Sequence, residues 1–120
     1  MPVKPSCPIL VVHPDDAFRR KLIVELDQRH FSVTYSSVPA EALAALQERP
    51  FRVIVLWIDL GNGHKQLVDY VRDHRSDLGV SIIVLGEPNP DLRTIAFFAD
   101  ETLLTPVDPV YVAERARVYC

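Results

Sequence analysis

The side chains with chemical reach sit just past the ends of two apolar runs. His13, Asp15 and Asp16 follow Ile9 to Val12, and Asp59 and His64 follow Val53 to Trp57. Imidazole and carboxylate together can hold Zn²⁺ or Ni²⁺, but this spacing fits no known ligand pattern, and loop histidines are commonly solvated or hydrogen-bonded. No metal site and no cofactor is expected. The loop Gly61-Asn62-Gly63 precedes a helical pattern and in principle faces a phosphate; a glycine pair with no flanking lysine reads as a plain turn instead. Arg19-Arg20-Lys21 reads as a solvated basic face, and His30 and His74 as surface residues favoured near helix C-termini. Cys7 and Cys120 stand near opposite ends of the sequence. Two scattered thiols lack both metal-ligand spacing and the density of a disulfide scaffold, so both are expected to be reduced.

The elements that position these groups follow from hydrophobic periodicity. Ile9 to Val12, stopped by His13-Pro14, suits a buried parallel strand. Asp15 and Asp16 can cap a helix whose apolar face is Phe18, Leu22, Ile23 and Leu26. Phe31 to Tyr35 alternates like a strand. Pro39 opens a helix through Glu48, and Pro50 ends it. Val53 to Trp57 is the central strand, followed by a helix that turns Leu67, Tyr70 and Val71 inward and closes at Asp77 to Gly79. Val80 to Leu85 is a fourth strand, Leu92 to Ala99 a short helix and Thr102 to Leu104 a fifth strand. Pro106 and Pro109 bracket a turn into a last helix, Val110 to Tyr119. Strand and helix alternate five times. Right-handed crossovers then imply an α/β domain: a doubly wound five-stranded parallel sheet in flavodoxin-like order 2-1-3-4-5, helices on both faces.

A chain of 120 residues, 48% of them apolar, supports one domain over residues 1–120. Its net charge of −3 provides no broad positive field, so direct binding to nucleic acid or to an acidic membrane surface is not expected. The longest apolar runs fall short of a membrane span, and residues 1–8 carry no signal-type apolar region, which places the chain in the cytoplasm as an expectation.

Over nearly its full length the chain resembles the receiver domain of two-component response regulators, the CheY-like family. The resemblance rests on Ile9-Leu10-Val11-Val12, Arg19, Glu41-Ala42-Leu43, the third and fourth apolar strands, Ala99-Asp100-Glu101 and Leu104-Thr105-Pro106-Val107-Asp108. Such domains phosphorylate an aspartate at the end of the third strand. They hold Mg²⁺ with an acidic pair after the first strand, and complete the site with a hydroxyl residue after the fourth and a lysine after the fifth. Here those positions carry His13 and Pro14, Trp57, Gly86 and Thr105. A phosphoryl transfer of this kind needs a nucleophilic carboxylate, a divalent cation and a cation for the product, and these residues supply none of them. The resemblance therefore implies a pseudo-receiver, which keeps the fold without the reaction and is not an enzyme.

The family's signalling aromatic on the fifth strand is replaced by Thr102, and its proline, commonly preceded by a cis peptide, is retained at Thr105-Pro106. The elements that receivers use for dimerisation here carry Phe97, Phe98, Thr102 and Tyr111; neighbouring helix residues point different ways, so one phenylalanine is expected in the core. Trp57 either fills the space of the missing acidic pocket or anchors an interface. The implied partners are proteins of a signalling pathway, a histidine kinase or an output domain in a longer chain among them, or a second copy of this chain. The short final helix suggests a truncated chain. Two alternatives stand beside this reading: an active receiver using Asp59 as a displaced phosphoacceptor, and a small-ligand or nucleotide module at the carboxyl edge of the sheet.

Overall fold

Five short runs, four of them rich in Val, Ile and Leu, build one sheet: β1 (Cys7–Val12), β2 (Phe31–Ser36), β3 (Val53–Trp57), β4 (Ser81–Gly86) and β5 (Glu101–Leu104). The structure is a computed structural model that describes residues 6–58, 65–90, 92 and 96–120. Every pairing is parallel and the order is β2-β1-β3-β4-β5, the doubly wound arrangement expected from the alternation of strands and helices.

Period-two alternation divides the three central strands between two cores. Leu10, Val12, Ile54, Leu56, Ile82 and Val84 face one side, where α2 (Pro39–Glu48) contributes Ala42 and Leu46 and α3 (Lys65–Asp73) contributes Leu67 and Val71. Ile9, Val11, Val53, Val55, Ile83 and Leu85 face the other, against Leu22 and Leu26 of α1 (Asp16–Gln28) and Val112, Ala113 and Ala116 of α5 (Pro109–Arg117). Burial of each such Val, Leu or Ile side chain contributes roughly 1.5–3 kcal/mol, which makes these strands the rigid frame for everything at their ends.

Local signals set the helix ends. The Asp15 carboxylate accepts from the Ala17 and Phe18 N–H groups, capping α1, and Asp108 accepts from Val110 N–H at the start of α5. His30, just past α1, adopts a φ of 65°, an unusual conformation for a residue with a side chain. After α3, a single turn, α4 (Arg75–Leu78), ends on Gly79 in the left-handed region.

Several expectations need correction. Tyr70 is only partly buried, and His74 stacks on its ring at 4.2 Å while its Nδ1 lies 3.0 Å from the Tyr70 carbonyl oxygen, so His74 packs onto α3 where the sequence suggests a plain surface residue. Of the helix expected over Leu92 to Ala99, Leu92 is helical, residues 93–95 lie outside the described residues, and Ala96 to Phe98 form a turn in place of the helix's continuation. Cys7 and Cys120, expected as reduced thiols, are joined in a disulfide with Cα atoms 6.2 Å apart. Folding brings the start of β1 to the end of α5 across a sequence separation of 113, a proximity that linear spacing does not reveal.

Candidate functional site at the carboxyl edge of the sheet

The strand register aligns four chain positions along one edge. Val12 pairs with Leu56, Trp57 with Leu85, and Gly86 with Leu104, so His13, Trp57, Gly86 and Thr105 emerge side by side. Backbone bonds tie them: His13 N–H donates to the Ser36 carbonyl, Ile58 N–H to Leu85, and Thr105 N–H to Gly86 at 2.9 Å. The Thr105-Pro106 peptide is cis, as the resemblance implies.

The centre of this edge is aromatic. His13 is 6% exposed, stacks on Phe18 with ring centroids 4.5 Å apart, and lies 4.9 Å from the Trp57 ring. Its Nδ1 accepts the Asp15 N–H at 3.0 Å, a role that requires that nitrogen to be unprotonated. Burial pushes the His13 pKa down to about 4, Asp15 partly opposing the shift and Arg19 adding to it. At neutral pH this residue is a packed, uncharged ring. Trp57, partly buried, packs on the same side of the sheet as Phe18 and Leu103.

The neighbouring acids have other work. Asp15 caps α1, while Asp16 pairs with Arg19 at 2.6 Å and with Arg20 at 2.9 Å. Arg19, read from sequence as part of a solvated face, is 11% exposed at its side chain. Its guanidinium donates to the His13 carbonyl at 3.0 Å and lies 5.5 Å from the centroid of the Tyr35 ring. Arg19 and Phe18 are the residues that spacing alone undervalues here: both belong to the first turn of α1, which the edge uses to close over His13.

At the fourth strand, Gly86 is buried, and a Cβ built on it would meet Leu92 Cδ1 at 3.2 Å. The space that a hydroxyl side chain would need is therefore taken by Leu92. Among the described residues the Thr105 hydroxyl reaches the Gly86 carbonyl, at a long 3.4 Å. Pro14 is exposed beside these residues. Asp59, His64 and Gly61-Asn62-Gly63 lie outside the described residues. Among the described residues no group of three or more His, Cys, Asp or Glu side chains is placed to hold a metal ion, and no helix is long and apolar enough to cross a membrane.

The second candidate surface lies around β5. Phe97 is 70% exposed whereas Phe98 is 3% exposed and part of the core, so Phe98 drops out of the candidate interface. Phe97, Thr102 and Tyr111 remain at the surface, joined by Leu104, which belongs to the fifth strand but is not among the interface residues expected from sequence. Thr102 and Leu104 line a cavity of about 390 Å³ with Pro88, Asn89 and Leu92. β5 alternates half-buried and exposed positions because it is the last strand of the sheet.

No family model matches the chain. It is 26% identical over 108 residues to the acid tolerance regulatory protein ActR of Sinorhizobium medicae, a match that covers 88% of this chain and 56% of that protein. It spans about half the length of this curated relative. Among solved structures, it superposes on a CheY-like receiver domain protein from Methanospirillum hungatei with a TM-score of 0.82 at 20% identity, covering 94% of this chain and 92% of that one. The chemotaxis protein CheY4 of Vibrio cholerae gives a TM-score of 0.80 at 20% identity, covering 96% and 99%. HP1043, an orphan response regulator of H. pylori, gives 0.81 at 12% identity, covering 98% of both chains.

Proposed function

We propose that this chain, which has the CheY-like response-regulator receiver fold, serves two-component signalling as a cytoplasmic protein-binding module that performs no phosphoryl transfer. The observation that carries this reading is the His13–Trp57 contact: rings occupy the end of β1 and the end of β3, where the resemblance places an acidic pair and a phosphoacceptor. A hard cation needs oxygen ligands, and the two acids that follow, Asp15 and Asp16, are engaged with the first turn of α1 and with Arg19 and Arg20. With Leu92 packed against Gly86 and a neutral hydroxyl at Thr105, the four described strand-end positions, His13, Trp57, Gly86 and Thr105, supply neither a carboxylate nucleophile nor a lysine for a phosphorylated product.

Such a module acts through differential affinity of a partner for its conformations, and not through chemistry at the edge. Phe97, Thr102 and Tyr111 provide the surface for that partner, whether a kinase, an output domain or a second copy of the chain. The test is a Mg²⁺ titration followed by Trp57 emission, since this sole tryptophan stands where a bound cation would sit. The reading predicts an unchanged spectrum up to millimolar Mg²⁺. A saturable change at sub-millimolar Mg²⁺ would overturn it in favour of an acceptor-competent site using Asp59.

A further inference from the structure

We propose that Cys7 and Cys120 form a redox clasp, a site of thiol–disulfide exchange with low-molecular-weight thiols, which fastens the end of α5 to the start of β1. The two residues differ in access. Cys120 is exposed and Cys7 is partly buried against the core that holds Phe18, Val33 and Tyr119. A cavity of about 420 Å³ opens directly beside the pair, walled by Pro50, Phe51 and Arg52. Arg52 is exposed and has no ion-pair partner among the described residues, so its guanidinium is free to take a carboxylate of an anionic thiol such as glutathione.

The exchange is balanced without any further reactant. The Cys120 thiolate attacks one sulfur of glutathione disulfide, its S–S bond breaks, and one glutathione thiolate leaves. The Cys7 thiolate then attacks the Cys120 sulfur, the mixed disulfide breaks, and the second glutathione leaves. The two protons lost by the cysteines are taken up by the two glutathione thiolates, and excess glutathione reverses both steps.

What the clasp controls is the last turn of the described chain. Beyond α5, residues Val118, Tyr119 and Cys120 make three tight-turn bonds, to the carbonyls of Arg115, Ala116 and Arg117, and the Tyr119 side chain also packs against the core and hydrogen-bonds Glu101. The body of α5 is fixed separately, by Ala113 and Ala116 in the core, by Glu114 bonded to Arg29 at 2.8 Å and by Arg115 paired with Glu101. Reduction therefore removes the Cys120 anchor of this turn and leaves the Tyr119 one, while the sheet and helices stay in place. In a reducing compartment, a disulfide that persists only under oxidation serves as a sensor.

The experiment incubates the purified protein in glutathione buffers of stepped oxidised-to-reduced ratio, alkylates it, and reads intact mass and thermal unfolding. We expect the doubly alkylated form to give way to the unalkylated disulfide as the ratio rises, with a Tm higher by about 5–15 °C in the disulfide form. Cys7→Ser is expected to accumulate one glutathione adduct, and Cys120→Ser to react about tenfold or more slowly. Arg52→Gln slows adduct formation with glutathione but not with an uncharged thiol disulfide. Two thiols that remain alkylable in excess glutathione disulfide would overturn the proposal, and so would equal adduct rates in the two serine variants.

Discussion

The His13 and Trp57 rings lie 4.9 Å apart at an interplanar angle of 53°, bridging the ends of β1 and β3. Phe18 stacks on His13 from the first turn of α1, so three chain segments meet through aromatic contact where the strands end. The Asp15 N–H bond to His13 Nδ1 and the burial of the ring both favour a neutral imidazole, and this gives the site a distinct acid sensitivity.

Folded His13 has a pKa near 4 because burial penalises its charged form, against an ordinary value of 6.5. As pH falls through about 6.5 the unfolded chain takes up a proton that the folded chain refuses, so stability is full above that value and lost progressively down to about 4. The total loss is on the order of 3 kcal/mol. Urea unfolding between pH 7 and 4 should show this slope in the wild type, and a flatter one in His13→Asn, whose amide oxygen can still accept the Asp15 N–H. An unchanged slope in the variant would assign the acid sensitivity to other groups.

Glu101 acts in a lower window. The Arg115 guanidinium beside it holds its carboxyl below the usual range, so the stability it contributes is present above the ordinary carboxylate value and lost as pH falls through the lowered one. In Arg115→Gln the Glu101 titration, followed by carboxyl ¹³C NMR, should move up toward its ordinary midpoint. A midpoint that stays put would remove Arg115 as the cause.

Gly86 can be probed by size. Adding a Cβ places it 3.2 Å from Leu92 Cδ1, so Gly86→Ser is expected to cost about 1–2 kcal/mol in urea unfolding, through overpacking. Leu92→Ala empties that space, and the serine should then cost little, giving a coupling of about 1 kcal/mol in the double-mutant cycle. Strict additivity would show that Leu92 does not occupy the hydroxyl position.

The strands and most helices are legible in the sequence because each run is punctuated by Pro, Gly or Asp: Pro39 begins α2, Asp15 caps α1, and Gly79 ends α4. The alignment of His13, Trp57, Gly86 and Thr105 follows from parallel register once the strands are known. What remains hidden is tertiary. Arg19 reads as one of three adjacent cations, and only the fold brings it over Tyr35 and under the His13 carbonyl. Phe97 and Phe98 are indistinguishable in type, and the turn at Ala96 to Phe98 decides which one is buried. Cys7 and Cys120 meet only because β1 starts, and α5 ends, at the same edge of the sheet.

Whether this receiver fold carries out phosphoryl transfer is decided by the intact mass of the protein after incubation with Mg²⁺ and acetyl phosphate, with Asp59→Ala alongside. The expectation is no added phosphoryl group in either protein. A base-labile phosphoryl adduct on the wild type that disappears in Asp59→Ala would contradict it, and would make this chain a working receiver with a displaced acceptor.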